Sequence, residues 1–112
     1  MTFRWPSRRI CSEVRVVRET RESEVEGYLK RRLWGLGIDC VKYVPDQLPG
    51  MPDRMLLLPG GKVMWVELKT DGGRVSPLQM YRHAWLRKLG HDVRVVWNKE
   101  QVDELVEEIE KA

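Results

Sequence analysis

The order of helical and extended patterns predicts a mixed α/β domain, with a small mixed central sheet flanked by helices. Three observations lead there. Amphipathic helical stretches alternate with short apolar segments that read as strands. A Pro-Gly-Gly triplet, Pro59 to Gly61, sits between two such segments and reads as a hairpin turn. The chain has 112 residues, enough for one domain around one core. Residues 1–19 read as a basic arm ahead of a domain at 20–112, with a weakly alternating strand candidate at 12–17.

Each element has its own justification. Residues 22–35 place Val25, Leu29 and Leu33 at helical spacing, continued by Leu36, and Gly35 and Gly37 mark the end. Residues 39–44 alternate as a strand does. Residues 45–52 carry three prolines and Gly50, and read as a loop. Residues 54–58 and 62–70 are the two arms of the hairpin, and a second Gly-rich loop follows at 70–75. "SPLQ" then opens a helix, with Ser76 as N-cap, Pro77 at the first position and Gln79 at the third. That helix ends at Gly90. Residues 92–97 form a further strand and residues 99–111 an acidic helix.

Composition narrows the class. A hydrophobic fraction of 42% is ordinary for a globular domain. No apolar run approaches the roughly 20 residues of a membrane span. The first ten residues hold Arg4, Arg8 and Arg9 but lack the apolar stretch of a secretory signal. Cys11 and Cys40 have neither metal-ligand spacing nor the density of a disulfide framework, so a reduced, cytoplasmic setting is expected. The net charge is +3, and its distribution is uneven. Residues 30–94 carry twelve Lys or Arg against six Asp or Glu, whereas the last helix is acidic. A basic body with a solvated acidic helix suits a nucleic-acid partner, although a mixed surface without a partner fits the charge equally well.

The hairpin carries the chemistry. Glu67 and Lys69 stand inside the apolar run "VMWVELKT", where burial of an unpaired charge is costly. With a three-residue loop, Leu58 faces Lys62, and counting back sets Asp53 opposite Glu67. Opposed residues share a face with Cβ atoms about 5 Å apart, and Lys69, two residues on, points the same way. A two-residue loop would instead oppose Asp53 and Leu68, unless a bulge intervened. Two adjacent carboxylates call for a cation, and Mg²⁺ takes one or two carboxylates while keeping waters and room for phosphate oxygens. A nearby lysine adds fixed positive charge. Together these are the groups needed for metal-assisted phosphodiester hydrolysis. An isolated E-x-K is ordinarily a surface salt bridge; the preceding Pro-Asp, the turn and the apolar flanks argue against that reading.

"GMPDR" at 50–54, thirteen residues between Asp53 and Glu67, "ELK" at 67–69, "GGRVSPLQ" at 72–79 and "LRKLGHDVRVV" at 86–96 resemble the VRR-NUC (virus-type replication-repair nuclease) domain. That family belongs to the PD-(D/E)XK nuclease superfamily, and the resemblance spans about residues 21–97. It implies a restriction-endonuclease-like core and an Mg²⁺- or Mn²⁺-dependent DNA endonuclease. Asp53 and Glu67 would match its metal ligands, the Leu68 carbonyl a backbone ligand, and Lys69 its catalytic lysine. Gln79 matches the family's glutamine at a helix start, while also fitting the capping box. Stand-alone phage and bacterial members are similar in size, and the resemblance implies homodimers acting on branched DNA, notably four-way junctions, in the host cytoplasm. The arm at 1–19 extends ahead of the usual family start, and three readings of it stand open: a disordered tail, a segment exchanged between protomers, or a grip on DNA phosphates through Arg4, Arg8 and Arg9.

A further acidic ligand is expected from the first helix. On a helical wheel Glu22 falls within the apolar stripe, Glu26 just beyond its edge and Glu24 well away, and Glu22 matches the family's leading acid. The rival reading makes Ser23 the N-cap and Glu26 its partner. Arg54 would pair with a carboxylate or touch phosphate. Arg74 and Arg82 are candidate DNA contacts. Trp65, Trp85 and Trp97 read as core. His83 sits one turn past Gln79, where contact with the site is the less favoured of its two readings, and neither His83 nor His91 has zinc spacing.

Overall fold

A computed structural model of the protein describes residues 21–70 and 73–111. The elements run α1 (Arg21–Gly35), β1 (Asp39–Lys42), β2 (Arg54–Leu58), β3 (Lys62–Leu68), α2 (Pro77–Lys88), β4 (Asp92–Val96) and α3 (Lys99–Lys111). This is the expected order of helices and strands. The expected arm, the strand at 12–17 and Cys11 lie outside the described residues.

The four strands form one sheet in the order β1-β2-β3-β4. The first three are an antiparallel meander, and β4 runs parallel to β3. Parallel neighbours need a crossover, and α2 supplies it. β3 therefore lies between two paired strands, and residues Met64 through Leu68 are all buried. This explains why it reads as a continuous apolar run broken only by Glu67.

Two apolar clusters cover the two faces of the sheet. On one face, Val25, Leu29 and Leu33 of α1 and Val102, Leu105 and Val106 of α3 pack against Leu56, Met64, Val66 and Leu68. On the other, Leu86 of α2 packs with Trp65 and Val93, joined by Tyr43, Met55 and Trp85. The alternation of β3 thus sends Met64, Val66 and Leu68 one way, and Trp65 and Glu67 the other. Polar ties link the layers at their rims. Tyr28 donates a 2.6 Å hydrogen bond to Asp103, and Arg94 of β4 pairs with Glu108 of α3 at 2.6 Å.

Candidate active site

The hairpin turn sets the site. Gly60 and Gly61 take φ of 81° and 76°, a left-handed region that costs other residues but not glycine. The three-residue connection this permits pairs Leu58 with Lys62, and the ladder continues to Arg54 opposite Val66. Extended by one residue beyond β2, this register sets Asp53 opposite Glu67. Both point to the α2 face, because their neighbours Arg54 and Val66 point to the α1 and α3 face. Lys69 follows on the same side, its amide hydrogen-bonded to the Val96 carbonyl at 3.0 Å.

Glu67 is only 4% exposed. Its Oε2 accepts a 3.0 Å hydrogen bond from Gln79 Nε2 and lies 3.6 Å from Lys69 Nζ. Its Oε1 is buried without a hydrogen-bond partner, and so is Asp53 Oδ1. Burial pushes the Glu67 carboxyl up to about 7, the Asp53 charge adds to that, Lys69 opposes it, and Glu22 adds a further upward push. Burial also raises Asp53, against Arg54 and the backbone amides of Leu68 and Asp53, which favour its charged form. Two acids that resist ionisation, each with a free buried oxygen, form a site that a cation would relieve. Among the described residues, no three His, Cys, Asp or Glu side chains gather closely enough to hold an ion unaided. Two carboxylates supplemented by water and phosphate oxygens is the ligation Mg²⁺ favours.

The α2 helix contributes the rest. Ser76 Oγ accepts from the Gln79 amide at 3.1 Å, and Gln79 Oε1 accepts from the Ser76 amide at 2.9 Å, so the capping box is complete. The same side-chain amide donates through Nε2 to Glu67. Gln79 thus closes the cap with one end of its amide and bonds Glu67 with the other. The preceding loop is docked on this helix. Arg82 Nε donates to the Pro49 carbonyl at 3.2 Å, and a Cβ on Gly50 would come within 2.8 Å of the Leu78 carbonyl oxygen. That close approach brings Pro52 and Asp53 up to the start of α2.

His83, one turn beyond Gln79, is 2% exposed. Its Nε2 lies 3.8 Å from Glu67 Oε1 and has no hydrogen-bond partner. Burial lowers its pKa, with the Arg87 and Lys69 charges adding to the effect. The spacing of four from Gln79 is the signal that pointed to it.

The remaining candidates divide. Glu22 is exposed in the first turn of α1 and acts on Glu67 through its charge. The expectation that it lies on the buried stripe is corrected: the stripe is filled by Val25, Leu29 and Leu33. Ser23 lies inside α1, which begins at Arg21, and does not cap it. Glu26 is taken by Arg54, with Lys30 at 3.6 Å. Arg54 itself is 5% exposed, so the phosphate contact gives way to the carboxylate alternative: its guanidinium is spent inside the protein. Arg74 is exposed beside the start of α2. Arg82 is stacked 4.9 Å over the Trp85 ring. Trp65 is core, donating to His91 Nδ1 at 3.4 Å.

The chain is similar in sequence and in fold to known proteins. A phage protein, "Putative nuclease p44" of Acyrthosiphon pisum secondary endosymbiont phage 1, is 38% identical over 80 residues, which cover 71% of this chain and 86% of that protein. A solved structure described as a VRR_NUC domain superposes with a TM-score of 0.74 at 36% identity, covering 80% of this chain and 97% of the other. No family model matches the chain.

Proposed function

Because the chain belongs to the VRR-NUC family, we propose that it is a metal-dependent DNA endonuclease that hydrolyses phosphodiester bonds, selecting branched DNA such as four-way junctions as a homodimer. The observation that carries the reading is the pair of buried carboxylates, Asp53 and Glu67, each with an unpartnered oxygen, beside Lys69. These are the residues that would hold Mg²⁺ or Mn²⁺, with the Leu68 carbonyl between Glu67 and Lys69 as a backbone ligand and Glu22 at the outer edge. A bound divalent cation supplies a water of lowered pKa and neutralises charge on the phosphate.

The side chains do the rest. Lys69, with its side chain 18% exposed, brings a fixed positive charge to the phosphate as negative charge develops, and orients the attacking water. Gln79 fixes the orientation of the Glu67 carboxylate through Oε2. Arg74 and Arg82, beside and on α2 respectively, contact the DNA backbone and set its position without reading sequence. A two-fold dimer presents two such sites to a two-fold symmetric junction, one for each strand cut.

The test is cleavage of an end-labelled immobile four-way junction and its linear duplex counterpart, with Mg²⁺ or EDTA, by wild type and Lys69→Ala. Symmetric nicks on the junction alone, abolished by EDTA and reduced about 100-fold or more in the variant, support the proposal. Equal cutting of linear duplex makes it a nuclease of the same fold with another target. Retardation of the junction on a gel without cutting in either metal replaces it with a DNA-binding module.

A further inference from the structure

Three buried polar atoms line the floor of the site without hydrogen-bond partners: Asp53 Oδ1, Glu67 Oε1 and His83 Nε2. The carboxylate oxygens are accounted for by a cation. His83 is not, because no resemblance, catalytic role or capping motif requires a histidine there. Yet α2 delivers its Nε2 to 3.8 Å from Glu67 Oε1, whereas Gln79 and Lys69 lie against the other oxygen, Oε2. At that distance the two are not bonded, and neither has a hydrogen-bond partner. An imidazole N–H facing a carboxylate oxygen in a buried site is a hydrogen bond awaiting a small side-chain rotation.

We propose that His83 is a positioning residue for Glu67: its Nε2–H donates to one lone pair of Oε1 and so turns the other lone pair toward the divalent cation. Gln79 and His83 then hold the two oxygens from successive turns of one helix, and Glu67 has a single orientation when the cation arrives. A carboxylate oxygen has two lone pairs, so this bond and cation ligation coexist. Hydrogen bonds to metal ligands fix ligand orientation in this way, and their loss costs roughly 10- to 100-fold in metal affinity. A neutral imidazole carries a proton on one ring nitrogen only, so the tautomer decides whether Nε2 can donate.

The inference rests on the reading of this site as a divalent-cation site, and its test separates the two. Nitrogen NMR of the wild-type imidazole reads the tautomer; the Nε2-protonated form is expected, and an Nδ1-protonated form overturns the proposal. Mg²⁺ affinity is then measured by calorimetry for wild type, His83→Phe and His83→Gln, alongside kcat and KM on junction DNA. His83→Phe fills the space without a donor, and about tenfold weaker Mg²⁺ binding with a matching fall in kcat and an unchanged KM is expected. His83→Gln restores the donor and most of both losses. Wild-type Mg²⁺ affinity in His83→Phe, or equal losses in the two variants, overturns the positioning role. Should His83→Phe not fold, the tautomer and His83→Gln decide. A wild type that neither binds Mg²⁺ nor cuts DNA sinks the nuclease reading itself, and the positioning role with it.

Discussion

At the scale of single residues, the site is an electrostatic conflict held in place by its surroundings. Glu67 has an ordinary pKa of 4.5 and is pushed to about 7 by burial and by Asp53. A carboxyl whose folded pKa lies above its unfolded one binds its proton more tightly in the folded state. The metal-free protein is therefore most favoured below about pH 4.5 as far as this group is concerned, and loses that stability as pH rises toward 7. The loss is on the order of 3 kcal/mol. Thermal unfolding in EDTA should show a melting temperature that falls across this range. Glu67→Gln should flatten the fall, and excess Mg²⁺ should reverse it in wild type alone; a melting temperature that rises with pH across this window would contradict the assignment. Arg54 offers a contrast. It sits next to Asp53 in the chain, but its charge is buried against Glu26. Arg54→Ala empties a buried site but leaves Glu26 half-buried with Lys30 still beside it, so it should cost about 1–3 kcal/mol in urea denaturation. Glu26→Gln, which leaves an acceptor for the guanidinium, should cost less.

At the scale of elements, the start of α2 serves structure and site at once. Ser76 and Gln79 close the capping box, while the far end of the Gln79 amide holds Glu67. The two functions can be separated. Ser76→Ala removes one cap bond and should cost about 1 kcal/mol of stability with cleavage close to wild type. Gln79→Glu keeps a capping acceptor but sets a second carboxylate against Glu67. Its cleavage should fall about 10- to 100-fold, read as single-turnover rates at saturating DNA. If Ser76→Ala lost as much activity as Gln79→Glu, the cap and not the Glu67 contact would be what matters. The hairpin is the second element with a double duty. A one-residue change in its turn would flip every side chain of β2 to the other face, carrying Asp53 away from Glu67.

At the scale of the whole molecule, charge is segregated. The acidic α3 packs against α1 on one face of the sheet, and the carboxylate site opens on the other face, beside α2 and its arginines. No described helix is long and apolar enough to cross a membrane. DNA affinity should fall with salt on a log-log plot, and Arg74→Ala should weaken binding to all sequences alike while reducing the slope by about 1. Arg74 is the cleaner probe, since Arg82 is also committed to Trp85 and the Pro49 carbonyl. An unchanged slope in Arg74→Ala would place the DNA elsewhere on the surface.

Local rules determined most of this protein. The spacing of Val25, Leu29 and Leu33, the Pro-Gly-Gly turn, the S-P-L-Q start and the glycine stops each act over a few residues, so the order of elements follows from the chain, whereas counting left the facing of Asp53 and Glu67 open between a three-residue and a two-residue turn. What counting along one element cannot supply is the distance between layers. Whether Arg54 meets phosphate or Glu26, whether Glu22 lies under the sheet or at its edge, and how deeply His83 sits against Glu67 depend on how α1 and α2 are set against β2 and β3. Those separations arise from the packing of two apolar clusters whose residues come from every part of the chain, and only the tertiary structure decides them.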